Sequence, residues 1–263
     1  DWEYQINDVA IIWARTGMEY FKKDDNYIYE IAQWFPRMAI YSDVHGWHHK
    51  QYLGRGEFSL EFGDYDVKIT VPGNHIVAAT GELVNSQDIL SKKQLKRLEK
   101  SRTASKPVFI VKPGEAKRNQ SKKSKSTKTW HFKASNVRDF AFASSKKFIW
   151  DAMGTKIEDK TVMAMSFYPN EAEPLWSLYS THAVAHTLKV YSRMLFPYPY
   201  PTAISVNGPI YGMEYPMISF NGPRPYEDGT YVGSPGKGQP WKHSKYGLIS
   251  VIIHEVGHNW FPM

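Results

Sequence analysis

His254-Glu255-Val256-Gly257-His258 lies in a stretch, from about Tyr246 onward, whose apolar residues recur at helical spacing. Ile249, Ile253, Val256 and Trp260 follow one another at offsets that predict one core face of a helix. His254 and His258 fall together on a different side, because residues four apart on a helix stand one turn above each other. Two imidazoles so arranged suit one divalent ion, and a glutamate next to the first is positioned as a general base for an activated water. The segment therefore predicts a zinc metallohydrolase in which His254 and His258 bind Zn²⁺ and Glu255 is the base. Gly257 inside the helix costs about 1 kcal/mol relative to Ala, a cost that a tight approach by another element justifies.

Working outward, composition narrows the alternatives. With 263 residues and 42% hydrophobic content, the chain is long enough to bury a substantial core and for roughly two domains. No apolar run approaches the ~20 residues of a membrane helix, so no membrane span is expected. The opening Asp1-Trp2-Glu3-Tyr4 has none of a signal peptide's basic and apolar regions, so the sequence reads as starting inside a domain or after processing. The absence of cysteine excludes disulfides, thiolate catalysis and Cys-based zinc sites.

The net charge of +7 is concentrated rather than spread. Much of it lies between Lys117 and Lys128, a polar, Ser-rich stretch without aromatics. Stacking residues are not interleaved with the charge, so it reads as a solvated loop, and no nucleic-acid partner is expected. A second basic run, Lys92 to Arg102, follows Ser91 as a helix N-cap and reads as a short surface helix.

The chain divides into two halves, 1–154 and 155–263. The first is rich in β-formers separated by Gly, Pro and Asn turns, with candidate strands at Glu57 to Phe62, Tyr65 to Val71, Pro107 to Val111, Thr129 to Phe132 and, last, Asp139 to Ala143. It predicts a β-sandwich or a large antiparallel assembly. In the second half Thr161 to Tyr168 reads as a strand and Pro174 to about Phe196 as a long helix, ended by Pro197, Pro199 and Pro201. Ala203 to Val206 and Met217 to Phe220 read as short strands flanking a Gly-Met-Glu turn, and Asn221 to Ser244 as loop. The other histidines have plainer readings. His45, His48 and His49 sit in a loop without matching carboxylates, and His182 and His186, also four apart, lack the glutamate and read as helix surface or core edge.

His254-Glu255-Val256-Gly257-His258-Asn259-Trp260-Phe261, preceded by Tyr211-Gly212-Met213-Glu214-Tyr215-Pro216, resembles the aminopeptidase N-like gluzincin metallopeptidases, particularly their bacterial branch. That family pairs an H-E-x-x-H-x-W-F helix with an upstream G-x-M-E-N motif. The resemblance covers essentially the whole chain and implies an α+β, multidomain architecture. A β-sandwich-like amino-terminal domain lacking its first strands (1–154) precedes the first part of a thermolysin-like catalytic domain (155–263).

It further implies that His254 and His258 bind zinc, that Glu255 polarises water, and that Glu214 holds the free α-ammonium of a peptide substrate. Met213 and Gly212 would line the substrate, and Gln33, in Ala32-Gln33-Trp34-Phe35-Pro36-Arg37, would help hold the same amine. Two positions depart from the motif: Tyr211 stands where the family has glycine and Tyr215 where it has asparagine.

The family's third zinc ligand and transition-state tyrosine fall beyond Met263. On this reading the chain is an incomplete catalytic unit, inactive alone, whose partner is the missing carboxy-terminal segment of its own catalytic domain. Bacterial relatives of this kind are often exported, which implies a periplasmic or extracellular setting. A non-catalytic peptide-binding fragment and an internal-cleaving metalloprotease are the alternatives.

Overall fold

The computed structural model describes residues 1–51, 59–234, 236–238 and 240–261. In chain order the strands are β1 (Gly17–Phe21), β2 (Asn26–Ile31), β3 (Tyr41–Ser42), β4 (Gly46–Trp47), β5 (Gly63–Pro72), β6 (Ile76–Ala79), β7 (Glu82–Leu83), β8 (Val108–Val111), β9 (Thr127–Val137), β10 (Phe142–Ser145), β11 (Ile149–Ile157), β12 (Lys160–Tyr168), β13 (Thr202–Asn207), β14 (Gly212–Tyr215) and β15 (Ile218–Asn221). The helices are α1 (Ser86–Ile89), α2 (Lys92–Ser101), α3 (Pro113–Gln120), α4 (Leu175–Met194) and α5 (Lys245–Gly257).

Four sheets result. A four-stranded sheet runs β1-β2-β10-β6, a three-stranded one β5-β9-β7, and β3-β4 is a hairpin, all antiparallel. The largest sheet runs β14-β15-β13-β12-β11-β8 and is mixed. Its β12-β13 and β13-β15 pairs are parallel and the rest antiparallel. The parallel β12-β13 pair needs a long crossover, which α4 provides. All six residues of β13 are buried, as a central strand with both faces covered must be.

Helix α4 lies on this sheet and is fixed by polar as well as apolar contacts. Within the buried layer Thr181 and Tyr168 donate their hydroxyls to Asp151, and the Ser166 hydroxyl lies 2.7 Å from both Thr181 Oγ1 and Ser180 Oγ. Buried polar groups so paired avoid the cost of an unmade hydrogen bond. Pro197 and its successors end the helix as expected. Among the described residues no helix is long and apolar enough to cross a membrane.

Several expectations change. Of the candidate strand Glu57 to Phe62, residues 57 and 58 lie outside the described residues, and Ser59 to Phe62 is not strand. The candidate Asp139 to Ala143 is replaced by Phe142–Ser145, which pairs with β2 and β6. The basic stretch from Lys117 is helical to Gln120, inside α3, and enters β9 at Thr127, so only its middle is loop. The Gly-Met-Glu segment is not a turn but strand β14, and the chain reverses at Pro216-Met217, where Met217 has a φ of 65°. The run from Lys92 does form a helix, with Ser91 and Gln94 making a capping box.

The two sequence halves interlock. Strand β11 runs unbroken through 154/155, and β8 joins the six-stranded sheet from the first half. Glu30 of β2 is fully buried and accepts the Ile210 N–H at 2.9 Å, and Thr80 donates to the Pro216 carbonyl at 2.9 Å. Arg224 binds Glu19 through two hydrogen bonds of 2.7 Å. The buried Lys147 pairs with Asp24 and Glu171. Of these, the Glu30–Ile210 bond braces the segment that leads into β14 and the Thr80–Pro216 bond the turn after it.

Candidate active site

Helix α5 starts at Ser244, whose side chain accepts the Gly247 N–H and so caps the helix. Its buried face consists of Leu248, Ile252, Val256 and Trp260, with Glu255 beside them. This corrects the expected face by one position at two places: Ile249 and Ile253 are only half-buried. The four-residue spacing is kept but its phase is set by Leu248, packed beneath the helix. Trp260 donates its indole N–H to the Phe196 carbonyl at 2.8 Å and packs edge-on to Tyr191 and at a tilt to Tyr198. Gly257 explains itself: a Cβ there would lie 2.8 Å from Tyr191 Cε2, so glycine lets α4 and α5 approach closely.

His254 is exposed and His258 half-buried. Their Nε2 atoms are 3.2 Å apart, with the rings inclined at 85°. Two nitrogens bound tetrahedrally to one Zn²⁺ at about 2.05 Å stand about 3.3 Å from each other. The imidazole pair thus fits the ion, and His254, Glu255 and His258 offer ligand atoms all within 4.8 Å.

Glu255 lies almost fully buried against the hairpin that carries Glu214. Burial, then the charge of Glu214 and a hydrogen bond with it, push its carboxyl up to about 8. Its Oε2 is buried without a hydrogen-bond partner among the described residues. That oxygen keeps its lone pairs available to accept a further hydrogen bond. The other oxygen, Oε1, would sit 2.6 Å from a Cβ at position 212, so Gly212 is needed to seat Glu255.

Gln33, in the left-handed region with a φ of 52°, joins Met213 and Glu214 in lining a small cavity together with Arg15, Arg37, Arg138 and Tyr215. The residues singled out by sequence therefore come together: Glu255 contacts Gly212 and Glu214, and Glu214 shares a cavity with Gln33. The remaining histidines do not join them. His48 bonds Ser42 at the β3-β4 hairpin, and His182 and His186 are exposed on α4.

Asn259 escaped the sequence reading. It accepts the Met217 N–H at 3.0 Å and the Tyr198 hydroxyl at 3.4 Å, and donates to the Val256 carbonyl at 3.0 Å. Its place beside the second histidine was the available signal.

No family model matches the chain, and no curated protein does. Solved structures do match. An M1 zinc metallopeptidase of Deinococcus radiodurans, in a point mutant bound to a Tyr-Ser-Ala substrate, aligns over 98% of this chain with a TM-score of 0.50 and 13% identity. Two other structures of M1 zinc metallopeptidase from that organism cover 76% of the chain with TM-scores of 0.47 and 0.45 at 14% and 15% identity. The first alignment shows a fold of the M1 zinc metallopeptidase type. The chain spans 44% of that structure's length, and 35% and 34% of the other two.

Proposed function

We propose that this chain forms part of a zinc-dependent aminopeptidase of the gluzincin kind, acting on peptides with a free amino terminus. The observation that carries the reading is the 3.2 Å imidazole pair of His254 and His258 with the Glu255 carboxylate beside it and Glu214 in contact with that carboxylate. A zinc ion held by the two imidazoles supplies Lewis acidity that brings the pKa of water down to about 7.

The protein's own groups do the rest. Glu255 accepts a proton at its unpaired Oε2, and its burial keeps its basicity high. Glu214 holds the substrate's α-ammonium through a charge-assisted hydrogen bond, which fixes the register so that the first peptide bond meets the base. The Gln33 amide, across the same cavity, adds a neutral acceptor for the amine.

Binding of a free-amine dipeptide and of its amino-acetylated form to the zinc-loaded chain tests this reading. The free form should bind and the blocked form should not, with Glu214→Ala abolishing the difference. Equal binding of both forms would favour an internal-cleaving enzyme.

A further inference from the structure

We infer that helix α2 and the segment after it, Lys92 to Lys128, form a cationic surface that docks the protein on anionic lipid bilayers. None of these residues shares an element with His254, Glu255, His258 or Glu214, so the surface is separate from the candidate active site.

Charge is divided sharply along the chain. Lys92 to Lys128 contains 11 Lys and 3 Arg against Glu99 and Glu115, a net +12, whereas the whole chain is +7, so the other residues together are net −5. All of these cations except Arg97 are exposed. Among the described residues only two of the fourteen form ion pairs, Arg97 with Glu115 at 2.6 Å and Arg102 with Glu99 at 3.4 Å. The fold gathers the stretch into one lobe. Arg97, on α2, reaches Glu115, on α3, and Lys128 returns its ammonium to the Ile89 carbonyl, just before α2, at 2.9 Å.

Helix α2 arranges its share of the charge on one side. Lys92, Lys93, Lys96 and Lys100 fall within about 100° of arc around the helix, opposite Leu95 and Leu98, which pack on the core. This arrangement works against the helix itself. Lysines four apart repel each other, and Lys92 and Lys93 stand in the first turn, where the helix dipole favours anions. A face kept only for solubility would carry both signs interspersed. A layer of external anions turns both penalties into attraction.

The chemistry of the surface favours a bilayer over nucleic acid. Phe109 is the only aromatic residue between 92 and 128 and is half-buried, so no exposed ring is offered for stacking on a base. The α2 face is all lysine, which supplies point charges without the guanidinium fork that matches a fixed phosphate. Lipid headgroups are mobile and need only charge, each nearby lysine adding to the attraction. With Leu95 and Leu98 turned to the core, α2 has no apolar face to insert, so attachment is electrostatic and reversible.

Co-sedimentation of the full chain with phosphatidylcholine vesicles, alone or with about one third phosphatidylglycerol, tests the inference. The chain should bind the mixed vesicles at about 0.1 M salt, leave the neutral ones unbound, and be released at about 0.5 M, where charge is screened over a few ångströms. Lys92→Gln, Lys93→Gln, Lys96→Gln and Lys100→Gln together should lower partitioning at least about tenfold. That variant should melt no lower than the parent, because the substitutions relieve repulsion. Lys22→Gln, Lys50→Gln, Lys156→Gln and Lys160→Gln together remove the same charge from exposed positions elsewhere and should keep most of the binding.

The lipid and salt dependence of the parent decides the matter without any variant: no binding to the mixed vesicles at low salt, or equal binding to both kinds, overturns the inference. Equal losses in the two fourfold variants overturn the assignment to α2. Tighter binding to duplex DNA than to the mixed vesicles at the same salt overturns the choice of a bilayer.

Discussion

The side chain of Asn259, one residue past the second histidine, accepts the backbone N–H of Met217 at 3.0 Å, joining the end of α5 to the hairpin that carries Glu214. Helix α5 and the β14-β15 hairpin are thereby held in one relative position. Replacing Asn259 by Ala leaves the Met217 N–H unpaired and should cost about 1–3 kcal/mol in urea unfolding. Asn259→Asp keeps the acceptor and loses only the donor to Val256, so its loss should be smaller. Equal losses would mean that the Met217 bond contributes nothing.

At Gly257 two effects oppose each other. Alanine is the better helix former by about 1 kcal/mol, but its Cβ would meet Tyr191 at 2.8 Å. The clash should win, with Gly257→Ala destabilised by about 1–3 kcal/mol, the usual range for overpacking. Truncating Tyr191 in the same chain should turn Gly257→Ala neutral or stabilising. A double-mutant cycle by thermal unfolding checks the sign.

Zinc titration should give one site per chain, weakly held because two imidazoles do not complete a tetrahedral set. His254→Ala and His258→Ala should each lower affinity by at least about tenfold, the scale seen even for supporting residues. Glu255→Gln should leave zinc affinity nearly unchanged, because the two imidazoles hold the ion. A variant lacking both histidines that binds zinc as well as the parent would contradict the assignment.

Burial raises the Asp151 carboxyl from its ordinary 3.8 to about 7, opposed by hydrogen bonds from Thr181 and Tyr168. Its folded pKa lies above its unfolded one, so the folded state binds the extra proton between about pH 4 and 7. Its contribution to stability is full below that window and falls as pH rises through 7. Asp151→Asn should therefore flatten the stability profile relative to the parent between those values, read by denaturant unfolding at several pH values. His75 works in the opposite sense: burial pushes it down to about 4, so stability is lost as pH falls from 6.5 to 4.

Much of the site was legible because its signals are local. The four-residue spacing of the histidines, the prolines after α4 and the Ser91 cap are short-range patterns, and the structure contains each of them. What sequence missed is set by tertiary packing. Ile249 and Ile253 share the spacing of Ile252 and Val256, and only the elements beneath α5 choose which set is buried. Gly212-Met213-Glu214 reads as a turn until β15 pairs with it. Asn259 acquires its meaning from Met217, a partner far away along the chain, which no local pattern announces.

Glu30 reaches from an amino-terminal strand under Gly208, where a Cβ would come within 2.3 Å of its carboxyl carbon, and grips the Ile210 N–H. Together with Arg15, Gln33 and Arg37 in the cavity wall, this makes the first half of the chain a supplier of the pocket. A chimera joined at 154/155 would cut β11 in two and would pair the metal helix with a foreign wall. Such a hybrid would keep His254, Glu255 and His258 but exchange the first-half residues of the cavity wall, so the two halves preserve this cavity only as a set.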